Sequence, residues 1–289
     1  MVKLIISTII SCFCFYSTTN AQFVELGGYG GALSFSGDVN EGEILSNTNA
    51  AFGAFVRYNA HPHFAASLGF IKGTLEANDR SSQKENIRER NLSFKSDLME
   101  FSLIPEFNIL PFSPSKKEQV FAPYVGVGLG LIVFNPRTKY EGKWIDLQEV
   151  GTEGQGLEGY NEKYSLVELA IPILFGLKYS IGGRLNIALE VGYRFTTTDY
   201  LDDVSTIYHS KSTLINNSEL AFALSNRTEE YTGVSATHLN GARRGNANNT
   251  DSYLTFGVRI SYGLYKKTAY KKKEEKGARN YKYQHRKWF

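Results

Sequence analysis

Between Leu185 and Phe195 the chain alternates without a break. Leu185, Ile187, Leu189, Val191, Tyr193 and Phe195 are large and apolar, whereas Asn186, Ala188, Glu190, Gly192 and Arg194 are small or charged. A repeat of two residues is that of a β-strand, whose side chains point to opposite faces in turn. In a soluble sandwich or lipocalin-like barrel the large apolar face points inward. In a membrane barrel it meets lipid, and the small, charged face fills the lumen. Roughly nine to eleven residues cross a bilayer as a tilted strand, which this segment satisfies. One strand fits both architectures, so the remainder of the chain has to choose.

Seven further segments alternate in the same way: Phe23 to Phe35, Ala50 to Tyr58, His63 to Lys72, Asp97 to Asn108, Val120 to Phe134, Val167 to Leu177 and Ser252 to Leu264. Phe52, Val56 and Tyr58 oppose Gly53 and Arg57. Met99, Phe101, Leu103 and Phe107 oppose Glu100, Ser102 and Glu106. The connections run long, short, long, short, long, short, long, and the last spans about 55 residues, far beyond what a compact soluble domain accommodates without structure of its own. Short turns on one side and long loops on the other mark an outer-membrane barrel. The expected fold is all-β, an eight-stranded antiparallel up-and-down transmembrane β-barrel with long external loops. Pro105, Pro123 and Pro172 fall inside strands, where each removes a ladder hydrogen bond, so they read as bulges or rim positions.

Lys3, the apolar stretch Leu4 to Tyr16 and the small residues before Gln22 read as a signal peptide over residues 1–21. Lipidation at Cys12 is the rival reading, with a very short apolar stretch before it. Both cysteines, Cys12 and Cys14, lie inside this segment, which leaves the barrel, residues 22–265, without a disulfide framework or a thiol site. The segment from Tyr265 to Phe289 holds ten Lys/Arg and two Glu, a net of +8 inside a chain total of +3, so the remainder carries −5. Residues 266–289 form a basic tail, and with an even strand count it emerges on the periplasmic side. Its charged residues Lys266, Lys267, Lys271, Lys272, Lys273, Arg279, Lys282, Arg286 and Lys287 alternate with aromatics. A solvated tail and a docking arm for a periplasmic partner both fit. Basic residues interleaved with aromatics also bind nucleic acid, but none is expected in that compartment.

Strand parity points Arg57, Glu100, Glu106, Glu168, Lys178, Glu190, Arg194 and Arg259 into the lumen, four acids and four bases. The interior of an eight-stranded barrel is only wide enough for side chains to fill. Because an unpaired buried charge is expensive, the expectation is a structural network of ion pairs, with a small-solute channel as the alternative. Such a barrel is no conduit for a folded protein. Gly126, Gly128 and Gly130 lack the strand-to-helix setting of a phosphate-binding loop and read as small inward residues. His61 and His63 flank Pro62 in a short turn and are too few for a metal shell. His209 and His238 share the longest loop with Asp199, Asp202 and Asp203, which makes an enzyme at the external rim conceivable, but nothing in the sequence fixes those groups within reach of one another. The chain reads as non-enzymatic, with no cofactor, metal or small-molecule substrate expected.

Several loop segments carry a more specific likeness. These are the Gly37-Asp38 loop, Arg90 to Ser96, Phe134-Asn135-Pro136, Gly142 to Gln148, Gly151 to Gly156, Thr198 to Ser205 and Arg244-Gly245-Asn246. In this order, and at these loop positions, they resemble the PorG-like family of outer-membrane β-barrels from Bacteroidetes, over roughly Glu25 to Leu264. The basic tail is outside the likeness. The resemblance implies a role in the type IX secretion system, which exports cargo bearing a conserved C-terminal domain and serves gliding motility. The implied partners are outer-membrane lipid and the periplasmic ring of the PorK lipoprotein and PorN, and the implied role is an anchoring or assembly subunit.

Overall fold

The computed structural model describes residues 22–39, 47–235 and 237–264. The expected signal peptide, residues 1–21, and the whole basic tail, residues 266–289, lie outside them. Ten strands are assigned: β1 (Phe23–Ser36), β2 (Thr48–His61), β3 (Phe64–Asn78), β4 (Ser93–Asn108), β5 (Phe121–Val127), β6 (Leu129–Tyr140), β7 (Lys143–Asp146), β8 (Val167–Ile181), β9 (Leu185–Thr196) and β10 (Ser252–Leu264). Each strand of the wall pairs antiparallel with its neighbour, and the sheet closes where β1 meets β10, with Val24 opposite Leu264 and Ser36 opposite Ser252. Segments β5 and β6 are one barrel strand interrupted at Gly128, so eight strands form the ring.

That interruption corrects the reading of the prolines as bulges. Leu103 pairs with Leu129 and Glu106 with Gly126, the same register on both sides of the gap. Pro105 and Pro172 flank Gly128 from the two neighbouring strands, where the ladder is already open, and the Gly128 N–H donates to the Pro172 carbonyl (3.0 Å). The backbones approach so closely that a Cβ on Gly128 would lie 2.2 Å from the Leu103 carbonyl oxygen and 2.8 Å from the Ile104 Cα. Two missing N–H groups are thus accommodated at one glycine without a register shift. Pro123 lies near the short-turn rim, as expected.

The wall has two levels of opposite polarity. In the half near the short turns, the exterior is apolar and the lumen is ionic. Leu68, Phe101, Leu103, Leu129, Leu169, Ile171, Phe175, Leu189 and Ile260 all face outward and are exposed, which is stable only against lipid. Above Phe70, Met99 and Val133 the exterior turns polar: Lys72, Thr74 and Glu76 on β3, Asp97 and Lys95 on β4, Asn135, Arg137 and Lys139 on β6. There the inward face becomes apolar, with Leu33, Phe35, Ile71, Leu75, Phe94, Leu98, Ile132 and Phe134 buried in one cluster. Both readings posed by the alternation therefore apply, each at its own height. The extensions of β3, β4 and β6 and the small hairpin strand β7 exceed the strands expected from sequence, because the apolar outward stripe ends where the wall leaves the lipid.

The described parts of the external loops fold onto that upper core instead of projecting as open chain. Leu147, Leu201, Val204 and Leu224 complete the same cluster as Leu33 and Phe134. Short helices carry parts of the loops: α1 (Glu85–Arg90), α2 (Leu147–Val150), α3 (Lys211–Ile215), α4 (Glu219–Ser225) and α5 (Thr228–Thr232). Ser210 and Ser218 cap α3 and α4 through the Thr213 and Ala221 amides (3.2 and 3.0 Å).

Candidate functional site

The lumen holds the charge network. Glu106 on β4 lies at its centre, 3.0 Å from Arg57, 3.3 Å from Lys178 and 3.9 Å from Arg259. The Arg57 guanidinium also reaches Glu25 (3.3 Å), and Arg259 reaches Glu190 (3.1 Å), which accepts a hydrogen bond from the Tyr124 hydroxyl (2.8 Å). One level higher, Arg194 pairs with Glu100 (3.2 Å), which accepts from the Tyr253 hydroxyl (2.7 Å). Arg194 also donates to the Thr255 hydroxyl. Aromatic faces fill the space between the ions: Lys178 lies 4.5 Å from the Tyr124 ring centroid, and Arg259 lies 4.8 Å from that of Phe55. The charges come from six of the eight barrel strands, β1, β2, β4, β8, β9 and β10, so the network ties opposite walls together.

Seven of the eight residues assigned to the lumen by parity meet in these two clusters. Glu168 does not. It sits at the external end of β8, half-buried, and accepts from the Thr197 hydroxyl (2.8 Å) at the rim. Its place among the acids is taken by Glu25, which parity on β1 could have supplied. The apolar residues Tyr29, Leu33 and Phe35 share the inward phase of Glu25 and masked it. With Glu25 counted, four acids still balance four bases.

Both ends of the lumen are closed. At the short-turn end, the connection between β4 and β5 folds back and buries Phe112 against Phe23 and Ala122. The Phe112 N–H donates to the Pro62 carbonyl (2.9 Å), and Lys178 lies 5.1 Å from its ring centroid. His61 and His63 stack beside this stopper (5.9 Å), and His63 Nδ1 lies 2.8 Å from the Asn108 carbonyl, which gives them a place in the turn.

At the other end the loops interlock through buried polar groups. Arg244 donates to Glu153 (2.8 Å), to the Asp203 carbonyl (2.6 Å) and to the Ser225 carbonyl (3.1 Å). Glu153 also accepts from the Ser205 and Thr206 amides (2.9 and 3.1 Å) and the Thr206 hydroxyl (2.7 Å). The Asp203 carboxylate takes the Tyr164 hydroxyl (2.7 Å) and the Thr152 hydroxyl. Arg90 clamps Asp79 (2.8 Å) and donates to the Asp38 and Arg244 carbonyls (2.7 and 2.9 Å). Burial pushes the Asp203 carboxyl up to about 6 despite Arg244, and lowers the Arg244 proton affinity less than Glu153 and Asp203 raise it. Several of the loop segments singled out in the sequence supply much of this layer: Gly37-Asp38, Arg90-Asn91, Thr152-Glu153, Thr198 to Ser205 and Arg244-Gly245.

His209 and His238 line different clefts of the cap. The His209 ring packs edge-on against Tyr160 (5.0 Å), and burial lowers its pKa. His238 borders a cleft of about 560 Å³ with Arg243, Asn86 and Glu89. Among the described residues no three His, Cys, Asp or Glu side chains converge as a metal shell. No helix among the described residues is long and apolar enough to cross a membrane.

A closed, even-stranded antiparallel barrel with a lipid-facing exterior and a filled polar lumen is an outer-membrane β-barrel, and this geometry places the protein in the cell outer membrane. The chain belongs to the family described as "Domain of unknown function (DUF6089)", matched over residues 3–241. No curated protein matches the chain. Among solved structures it is similar to the attachment invasion locus protein Ail of Yersinia pestis, crystallised with the heparin analogue sucrose octasulfate (10% identity, 84% of this chain and 99% of that one, TM-score 0.40). It is also similar to the N-terminal β-barrel domain of Pseudomonas aeruginosa OprF (10%, 84% and 97%, 0.37). The barrel assignment rests on the strand pairing, not on these distant likenesses.

Proposed function

We propose that this protein is an outer-membrane structural and anchoring subunit of the type IX protein secretion and gliding machinery, linking a periplasmic PorK/PorN-type ring to the membrane. The observation that carries a scaffold role is the solid lumen: two ion clusters, a Phe112 stopper and a folded cap leave the barrel built for rigidity. The specific machine is supported by the likeness of the loop segments to the PorG-like family. The partner-facing surface in this reading is the short-turn end, where Lys116 and Lys117 are exposed and β10 ends at Leu264. The protein binds lipid and protein and performs no catalysis. Deleting the gene is expected to abolish secretion of cargo bearing the conserved C-terminal domain while leaving the membrane intact. Mild-detergent pull-down of the tagged protein is expected to recover the ring lipoprotein and its partner. Normal secretion in the deletion strain refutes the proposal.

The second reading is a standalone small barrel acting as a minor channel or a surface-binding protein. The cleft beside His238 and Arg243 favours surface binding. The closed lumen counts against a channel. Recovery of a clean barrel after crosslinking, with no ring proteins, favours this reading.

A further inference from the structure

The lumen holds as many acids as bases, whereas among the described residues the cap buries more carboxylates than arginines. Among the described residues, seven loop carboxylates are buried in the cap, those of Asp38, Asp79, Glu153, Asp199, Asp202, Asp203 and Asp251. The arginines placed among them are Arg244 and Arg90, and these pair with Glu153, Asp203 and Asp79. Asp38, Asp199, Asp202 and Asp251 interact with one another and bring together the first external loop, the turn after β9 and the start of β10.

Their hydrogen bonds hold that junction. Asp202 accepts from the Val39 and Val204 amides (both 2.9 Å), Asp251 from the Leu201 amide (2.8 Å) and Asp38 from the Asn246 amide (2.7 Å). Asp251 is fully buried, reaches into the 199–204 turn, and its second carboxylate oxygen has no hydrogen-bond partner. It lies so close to Gly37 that a Cβ there would be 2.0 Å from it. A desolvated carboxylate oxygen among three other carboxylates is the place for a proton, because a neutral carboxyl loses little on burial and does not repel its neighbours.

We propose that Asp38, Asp199, Asp202 and Asp251 form a proton-holding latch that keeps the external cap closed at mildly acidic pH and loosens it as the pH rises. Every element packed here contributes charge. Arg90 faces Asp202 from the second loop, Glu153 faces Asp199 from the third, and Tyr200 faces Asp199 from the fourth. Asp79, Asp203, Tyr208 and Arg244 stand behind these, against Arg90, Tyr200 and Glu153. The direction follows from burial. Burial raises the Asp199 carboxyl to about 7 and raises Asp202 and Asp251 well above the usual carboxylate range, with mutual repulsion adding to it. A carboxyl raised in the closed cap contributes stability that is complete below its open-state pKa and is lost as pH climbs through the closed-state value. The window therefore opens near the ordinary carboxylate pKa of about 4 and extends through pH 7.

The test is hydrogen exchange on the full-length protein in detergent micelles between pH 5 and 8, corrected for intrinsic rates. Protection of the Val39, Leu201 and Val204 amides is expected to fall by roughly tenfold per pH unit for each proton released on opening, while the β8 and β9 amides stay flat. Asp251→Asn and, separately, Asp199→Asn remove one titrating group each without changing shape, and both are expected to reduce the slope and raise protection at pH 8. A wild-type profile flat across this range, or slopes unchanged in both variants, overturns the proposal. Restoration of protection at pH 8 by millimolar calcium chloride also overturns it, in favour of a divalent cation in place of protons.

Discussion

Replacing Arg244 with Met should open the cap and leave the barrel standing. The Arg244 side chain is 2% exposed and joins three parts of the cap through Glu153, Asp203 and the Ser225 carbonyl. Met keeps much of the volume and removes the charge and every donor. Glu153 keeps its hydrogen bonds from Ser205 and Thr206 but loses its ion pair with Arg244, inside a layer already rich in carboxylates. Removing one partner of a buried ion pair costs about 3–5 kcal/mol. At 1.36 kcal/mol per decade, that is roughly two to four decades in the cap's opening equilibrium. Hydrogen exchange at the Ser205 and Thr206 amides reads this directly, and heat-modifiability on a gel reads the barrel separately. Adding Glu153→Gln to Arg244→Met should recover part of the loss by removing the orphaned charge. Less than a threefold change in exchange, or loss of the barrel band along with the cap, would show that Arg244 does not key the loops in the way its contacts imply.

Glu106→Gln leaves Arg57, Lys178 and Arg259 without their shared carboxylate, and urea unfolding in micelles should show a barrel destabilised by about 3–5 kcal/mol. Glu168→Gln, by contrast, should stay within about 0.5 kcal/mol in the same assay, since Glu168 stands at the rim outside the network. Gly128→Ala forces a Cβ against the Leu103 carbonyl and should cost about 1–3 kcal/mol, whereas Gly30→Ala, with nothing within 4 Å of the new Cβ, should be tolerated. Truncation before Lys266 should leave a heat-modifiable barrel, because the eight strands close by Leu264.

The lipid-facing half of this fold is legible in the sequence because lipid imposes one rule on every strand. Phe52, Phe101, Leu131, Phe175 and Ile260 must be apolar wherever they sit, so the period-two stripe survives in all of them. Above the lipid that rule lapses. Gly73 to Asn78 and Ser93 to Ser96 carry polar residues outward, the reverse of the lipid-facing stripe, and they read as loop. The hairpin strand β7 had one usable signal: Glu141 and Gly142 form a two-residue turn with both φ values positive (47° and 80°), the geometry that suits the twist of paired strands. The lumen charges were readable from parity, except where the phases mislead. On β1 the apolar inward residues concealed Glu25, and on β8 Glu168 had the right parity at the wrong height. The cap was invisible for a different reason. Asp38, Glu153, Asp203 and Arg244 come from three separate loops, and sequence pattern carries no information about which loop reaches which.

The central claim is that this barrel is a solid, closed scaffold. Planar-bilayer recording of the purified full-length protein tests it most directly, with heat-modifiability confirming that the inserted barrel is folded. A lumen filled by two ion clusters and closed by Phe112 and the cap predicts no resolvable conductance steps at any applied voltage. Reproducible unitary steps from the folded wild-type protein would contradict the account and identify the lumen as a pathway.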